Sequence, residues 1–194
     1  MLSGMMKSMN WRRTLVLLLL LAAAAGCRSN RPSPREPDPL TPDRPAARAQ
    51  RYADEALSLE VPAGWTVSAV PGQDPNVHAV NLTGPAGVYA RVTLIRETPT
   101  PGSFSTEVLE NLRRATPGLP NEPYETQLAR RAAKGFRYRF EKAGTDWAGW
   151  VVSYAQERGE VCALGQFPAK SRDLEEELKA VLRTLRVKEE GGVP

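Results

Sequence analysis

Apolar and polar residues alternate with a period of two over much of the chain beyond residue 55, a pattern typical of half-buried β-strands. Leu57, Leu59 and Val61 alternate in this way with Ser58 and Glu60. Further predicted strands are Trp65 to Val70, Val77 to Leu82, Val88 to Arg96, Phe136 to Phe140, Trp147 to Tyr154 and Val161 to Phe167. The last two carry apolar residues on both faces, which predicts central strands that are covered on both sides.

Two segments instead repeat apolar residues with the helical period of 3.6. In the first, Phe104, Val108 and Leu112 define a helix that ends near Ala115, and Ser103 is placed as its N-cap. In the second, Ser171 is the predicted cap. The apolar stripe of the second helix consists of Leu174, Leu178, Val181, Leu182 and Leu185.

The stretch between Pro117 and Leu128 lacks a clear period and predicts a loop or an irregular strand. The element order is then four short strands, a helix, three longer strands and a terminal helix. Because hairpin connections prevail, we expect an α+β fold: an antiparallel sheet of about six to seven strands packed by helices.

Three motifs resemble those of PsbP-like and DcrB-like domains. They are the opening LEVPAGW of Leu59 to Trp65, the Gly-Phe-x-Tyr strand that starts at Gly135, and the closing helix of Leu174 to Val187. The resemblance covers roughly residues 55 to 188. It implies an α-β-α sandwich around an antiparallel sheet, in families whose members are mostly binding or accessory proteins rather than enzymes. It brings no catalytic residue with it.

The N-terminus has the pattern of a secretory signal. Positive charge comes first, and the apolar run Leu15 to Ala25 that follows is shorter than the ~20 residues needed to span a bilayer. The run then closes on Ala-Ala-Gly-Cys at Cys27, which resembles the lipobox of bacterial lipoproteins. By that resemblance, the chain is cut after Gly26 and Cys27 carries a diacylglycerol and a further acyl chain such as palmitate. Ordinary secretory cleavage and an uncleaved anchor are the alternatives.

A lipidated Cys27 makes the lipid bilayer the first expected partner, because two or more acyl chains anchor a protein stably. An Asp directly after the cysteine would favour retention in the inner membrane. The residue at that position is Arg28. The expected location is therefore the cell envelope, on the outer membrane and facing the periplasm.

The residues after the cysteine differ in composition from the rest of the chain. Residues 27–50 form a predicted disordered tether that follows the lipidated Cys27, since a segment so rich in proline and charge cannot bury a core. The alternative is a proline-rich docking peptide. Residues 51–188 then form the single globular domain, and residues 189–194 a disordered tail. The prolines of the tether are Pro32, Pro34, Pro37, Pro39, Pro42 and Pro45.

Removal of the signal changes the charge balance. The whole chain has 26 Lys and Arg against 22 Asp and Glu. The signal contains Lys7, Arg12 and Arg13 and no acidic residue. Its removal therefore leaves 23 basic residues (26 − 3) and 22 acidic residues. A mature protein this close to neutral lacks the basic excess of nucleic-acid-binding proteins, so no nucleic-acid partner is expected.

Two residues could carry chemistry, the single histidine His78 and the cysteine Cys162. As a pair they would suit a thiol hydrolase. The favoured interpretation is a partly exposed strand histidine and a buried, inert thiol, which has no disulfide partner once Cys27 is lipidated. Neither a metal site nor a cofactor is predicted, since a catalytic zinc normally takes three protein ligands.

Aromatic and acidic side chains offer further candidates. Trp65, Trp147 and Trp150 could line a ligand groove, although core packing is favoured, with at least one of the last two exposed or at a sheet edge because they lie in opposite phase. Glu175 to Glu177 predict a solvated helix face. The first function hypothesis is a noncatalytic envelope module that binds a protein or a small ligand. The second is an envelope hydrolase that uses Cys162 and His78, or a carboxylate pair not recognisable in the sequence.

Overall fold

The computed structural model describes residues 49–72, 74–98, 100 and 102–188. Within these ranges the chain forms ten strands and two α-helices. The strands are β1 (Gln50–Ala53), β2 (Leu57–Val61), β3 (Thr66–Val70), β4 (Val77–Thr83), β5 (Tyr89–Ile95), β6 (Asn121–Leu128), β7 (Arg131–Lys142), β8 (Thr145–Ala155), β9 (Glu160–Pro168) and β10 (Arg186–Val187). The helices are α1 (Phe104–Ala115) and α2 (Arg172–Arg183).

Seven of the strands form one antiparallel sheet in the order β3-β4-β5-β9-β8-β7-β6. The other three form a small antiparallel sheet in the order β1-β2-β10. The predicted α+β fold with an antiparallel sheet of six to seven strands is confirmed.

The two faces of the large sheet have separate cores. On one face, α2 and the small sheet pack against Trp150, Val152 and Ala163 through residues such as Leu178 and Leu57. On the other face, α1 places Val108 against Val151, Cys162 and Leu164. Helices therefore cover both faces, as in the expected α-β-α sandwich, and β8 and β9 are the central, doubly covered strands that the apolar pattern predicts.

Several details of the prediction were wrong, and the short strands β1 and β10 were not predicted. The stretch predicted as a loop or an irregular strand contains β6, a regular edge strand that pairs with β7 over its full length. Both helices begin where Ser103 and Ser171 predict, but neither serine makes a capping hydrogen bond. The N–H of Phe104 instead donates to the Glu160 carboxylate, at 3.3 Å, so a residue distant in sequence satisfies the start of α1.

The glutamate run on α2 is not the uniformly solvated face that was predicted. Glu175 is only 5% exposed and forms ion pairs with Arg137, at 2.8 Å, and with Lys179, at 3.0 Å. The prediction holds for Glu176, which is exposed. We call Glu175, Arg137 and Lys179 the Glu175 cluster, and since Arg137 lies on β7, this cluster joins α2 to the strand next to the edge strand β6.

The tryptophans are divided as the phase argument predicts. Trp65 and Trp150 are buried in the core, and the indole N–H of Trp65 donates to Glu177 Oε1 at 3.0 Å. Trp147 is half-buried, and its ring centroid lies 6.3 Å from that of Phe140. In the described part of the chain, neither helix has the length and hydropathy needed to cross a bilayer.

Candidate functional site

The large sheet splits at one end, between β7 and β8. These strands are paired from Lys142 and Thr145, beside their connecting turn, as far as Lys134 and Ser153. Beyond that point β7 continues only with β6, and β8 continues only with β9. The two hairpins diverge there and leave a cleft of about 650 Å³, which we call the fork cleft.

Backbone groups of both hairpins point into the fork cleft. The β6–β7 turn has positive φ at Ala129 and Arg130, as in the two-residue turns whose flanking residues are hydrogen-bonded to each other. Bonding then alternates along β7, so Ala132 directs its N–H and C=O towards β8. By the same alternation Ala155 directs its groups towards β7. Neither residue belongs to the pairing between these strands, and both line the cleft.

Side chains supply the walls of the fork cleft. The roof is the first turn of α1, where Ser105 accepts a hydrogen bond from Ser153 at 3.2 Å and Thr106 lies exposed. The other large side chains of the lining are three aromatic ones, two cations and one carboxylate: Tyr124, Phe136, Tyr154, Arg131, Lys134 and Glu125. The guanidinium of Arg131 lies 5.4 Å from the centre of the Tyr154 ring. Lys134 pairs with Glu125 at 3.2 Å, and both side chains are largely exposed.

These features suit binding more than bond-breaking chemistry. The cleft offers backbone groups outside the β7–β8 pairing, serine and threonine hydroxyls and aromatic surface, a combination that orients a ligand with amide or hydroxyl groups. Within the described ranges, no group of three or more His, Cys, Asp or Glu side chains is placed to hold a metal ion.

The sheet register separates the two residues that the hydrolase hypothesis needs. His78 lies opposite Leu94, which in turn lies opposite Val161. Because directly opposed residues share a face, His78 projects on the face of Val161, and Cys162 projects on the other. Cys162 is also 2% exposed, and burial, with a smaller contribution from Glu160, raises the pKa of its thiol. The Cys162–His78 pair does not form, and the predicted buried thiol and partly exposed histidine are confirmed.

His78 instead bonds to Asp54, a contact that the sequence did not suggest. Its Nε2 lies 2.9 Å from Asp54 Oδ2, which also accepts a hydrogen bond from the Tyr52 hydroxyl at 2.7 Å. The second oxygen of Asp54 accepts the N–H groups of Ala56 and Leu57, both at 2.9 Å. Asp54 thus holds the β1–β2 connection and fastens the small sheet to β4. These contacts give it a structural role.

Asp54 makes stability depend on pH in the acid range. Burial alone would raise its pKa, but hydrogen bonds from Tyr52, His78 and two backbone N–H groups outweigh burial and lower the pKa from 3.8 to about 2. Since the folded state binds this proton more weakly than the unfolded chain, the stabilisation is present above pH 3.8 and is lost as the pH falls towards 2. We expect Asp54→Asn to lower the free energy of unfolding at pH 6 by about 1–2 kcal/mol, after allowance for solvent screening.

Urea unfolding of the wild type and the variant at several pH values between 6 and 2 checks this expectation. The difference between the two proteins should shrink as the pH approaches 2. A difference that stays constant over this range would show that Asp54 is not the titrating group.

Sequence reasoning did not find the fork cleft. Its backbone contribution follows from where two strands separate, and its hydroxyls come from a helix and a strand far apart in sequence. Gly135 in the Gly-Phe-x-Tyr segment was the one local signal, since it lines the cleft where β7 leaves β8. The predicted lipidation site Cys27 lies outside the described residues.

No protein-family model matches the chain. No curated protein matches it either. Among solved structures, a protein from Bacteroides thetaiotaomicron VPI-5482 is 12% identical with a TM-score of 0.45, over 70% of this chain and 46% of that one. The present chain thus spans less than half of the Bacteroides chain.

Two smaller proteins also match. Cyanobacterial PsbP (CyanoP) from Synechocystis sp. PCC 6803 is 12% identical with a TM-score of 0.42, over 76% of this chain and 97% of that one. LpqN of Mycobacterium tuberculosis, described as involved in cell envelope biogenesis, is 14% identical with a TM-score of 0.41, over 73% and 91%. At these identities no residue of the fork cleft is carried over from any of the three.

Proposed function

We propose that this protein is an envelope lipoprotein whose noncatalytic domain binds a segment of a partner protein, or a small ligand, in the fork cleft. The observation that carries the proposal is the split between β7 and β8, where strand backbone faces a cleft without a strand partner. A bound amide group can satisfy such backbone donors and acceptors, which is how extended peptides add to sheet edges.

The lining supports binding of a polar group against apolar surface. Ser105 and Ser153 are buried and bonded to each other, so the roof is fixed before a ligand arrives. The aromatic side chains Phe136 and Tyr154 offer rigid contact area at low entropic cost. Arg131 is the lining cation without a carboxylate partner among the described residues, since Lys134 is paired with Glu125, and it favours a ligand with an acidic or neutral group near Tyr154.

A photocrosslinking amino acid at position 106 tests the binding proposal in growing cells. Thr106 is exposed and lines the fork cleft, whereas Glu110 is exposed one turn later on α1 and does not line it. Position 110 is therefore the matched control. Intact-mass analysis should show an adduct, protein or small molecule, at 106 and none at 110. Equal yields at both positions, or none at either, would contradict a ligand in the cleft.

Anchorage through Cys27 is the second part of the proposal, and its support is the Ala-Ala-Gly-Cys sequence that follows an apolar run too short to span a bilayer. Two or more acyl chains would hold the domain on its membrane without a transmembrane helix. The proline-rich residues 28–49, which precede β1, would act as an extended spacer, of up to ~70 Å at ~3.1 Å per residue. The proposed site is the outer membrane, facing the periplasm.

We expect the wild-type chain to incorporate a labelled fatty acid in bacterial cells and the Cys27→Ala variant to incorporate none. Lipidation requires the thiol of this residue, so its loss should remove the label completely and shift the protein from the membrane to the soluble fraction. Cys162→Ala is the control, because that buried thiol should not be modified. Label that persists in Cys27→Ala would rule out lipidation at this residue.

A further inference from the structure

Arg91 is a buried cation without a counterion in the described part of the chain. It lies on β5, on the α1 face of the large sheet, between Asn81 on β4 and Leu164 on β9. Its side chain is 5% exposed, and its Nε makes no hydrogen bond. The Tyr89 hydroxyl lies near enough to interact with the guanidinium, but none of the ion pairs among the described residues includes Arg91.

Such an arrangement is costly. Arginine keeps its charge in proteins, and a buried charge destabilises the fold unless it is paired and fully hydrogen-bonded. Arg137 on the opposite face of the same sheet illustrates the usual solution, because the Glu175 carboxylate pairs with it at 2.8 Å. The residues flanking Arg91 on its own face are Asn81, Leu164, Tyr89 and Thr93. None of them is acidic.

Asn81 is the neighbour of Arg91 that is arranged to donate. The Tyr89 hydroxyl gives its one proton to Asn81 Oδ1 at 2.8 Å, so Tyr89 can face Arg91 only as an acceptor. With Oδ1 occupied, the amide group of Asn81 has its two N–H donors left. Guanidinium and amide together present donors and a positive charge, and the group that complements them is a negatively charged acceptor.

We propose that Arg91 and Asn81, whose amide is held by Tyr89, form a binding site for an oxyanion, the carboxylate or phosphate group of a small ligand. The planar guanidinium can hold two oxygens of such a group at once. Because α1 packs on β7, β8 and β9, this site on β4 and β5 lies across the helix from the fork cleft. It therefore goes beyond the proposed function.

Urea unfolding of the full-length protein with and without inorganic phosphate, at constant ionic strength, tests the proposal. At a phosphate concentration ten times its Kd, the folding equilibrium constant of the wild type should rise about elevenfold. Arg91→Met should lose this response. Because phosphate also stabilises proteins in general, the response of the site is the difference between the wild type and Arg91→Met. Without phosphate it should be at least as stable as the wild type, since an apolar side chain replaces an unpaired buried charge. The exposed Arg172→Met is the control with the same change in charge, and it should respond like the wild type.

Butyrate in place of phosphate distinguishes the two sources of the oxyanion, and a response to either supports the site. A third variant, Arg91→Lys, keeps the charge but lacks the planar guanidinium, and it should bind phosphate at least tenfold more weakly than the wild type. A wild type that responds to neither anion would overturn the proposal. So would an undiminished response of Arg91→Met, or a loss of stability in Arg91→Met without phosphate, which would show that Arg91 serves the fold alone.

Discussion

Glu175→Gln should lower the free energy of unfolding by about 3 kcal/mol, because it leaves Arg137 beside a buried site with no counter-charge. Glu175 bonds to Arg137 at 2.8 Å and to Lys179 at 3.0 Å. We expect the lower end of the range known for broken buried pairs, since the Arg137 side chain is 27% exposed and can turn partly towards water. Urea unfolding at neutral pH measures the loss.

The chain contains a matched control for this experiment. Glu176 also pairs with Lys179 at 3.0 Å, but its side chain is 54% exposed. Exposed pairs contribute 0.2–1 kcal/mol in general, so we expect Glu176→Gln to change stability by no more than about 0.5 kcal/mol. Equal effects of the two substitutions would mean that burial does not set the strength of the Glu175 cluster.

The Glu175 cluster also shows where sequence patterns stop being informative. Three consecutive glutamates on an amphipathic helix indicate a solvated face, and for Glu176 this is correct. Glu175 is buried because α2 lies against β7, which brings Arg137 from 38 positions away in the sequence. The pattern of apolar and polar residues along α2 does not show that Arg137 lies beside Glu175.

Strand prediction succeeded and failed for one physical reason. β8 and β9 are buried on both faces, so their continuous runs of apolar residues predict them as strands. β6 is an edge strand whose sequence, NEPYETQL, is mostly polar and contains a proline. Its one large half-buried side chain is Tyr124, which packs near Arg137 and Lys179. β6 is a strand because it pairs with β7, so the sequence of β6 alone does not predict it.

The candidate sites divide in the same way. Burial of Cys162 could be predicted from its apolar neighbours Val161 and Leu164, since a local pattern carries it. The Tyr89–Asn81 bond joins two strands, and the Asp54–His78 bond joins the β1–β2 connection to β4, so both depend on tertiary placement that a single sequence does not show. The fork cleft depends on the loss of register between two strands. It therefore leaves even less trace in the sequence.

Gly135 is the residue through which the sequence does influence the fork cleft. It lies opposite Val152 in the pairing of β7 with β8, one residue from the point where the strands part. A Cβ built on Gly135 would lie 1.9 Å from the carbonyl oxygen of Val151 and 2.9 Å from the Cα of Val152. Both are backbone atoms of a central strand, so the strain cannot be relieved by rotating a side chain.

We therefore expect Gly135→Ala to cost about 3 kcal/mol or more of the free energy of unfolding, the upper end for overpacking, because β7 must move away from β8. Gly118→Ala is the control. Gly118 has φ of +79° and no atom within 4 Å of its built Cβ, so the change adds only left-handed strain, about 1–2 kcal/mol. Urea unfolding gives both losses. Amide exchange at Lys134 and Ser153, the last paired residues before the split, should also quicken in Gly135→Ala and not in Gly118→Ala. If Gly135→Ala cost no more than the control and left this exchange unchanged, the close approach of β7 and β8 at Gly135 would not be what positions the fork cleft.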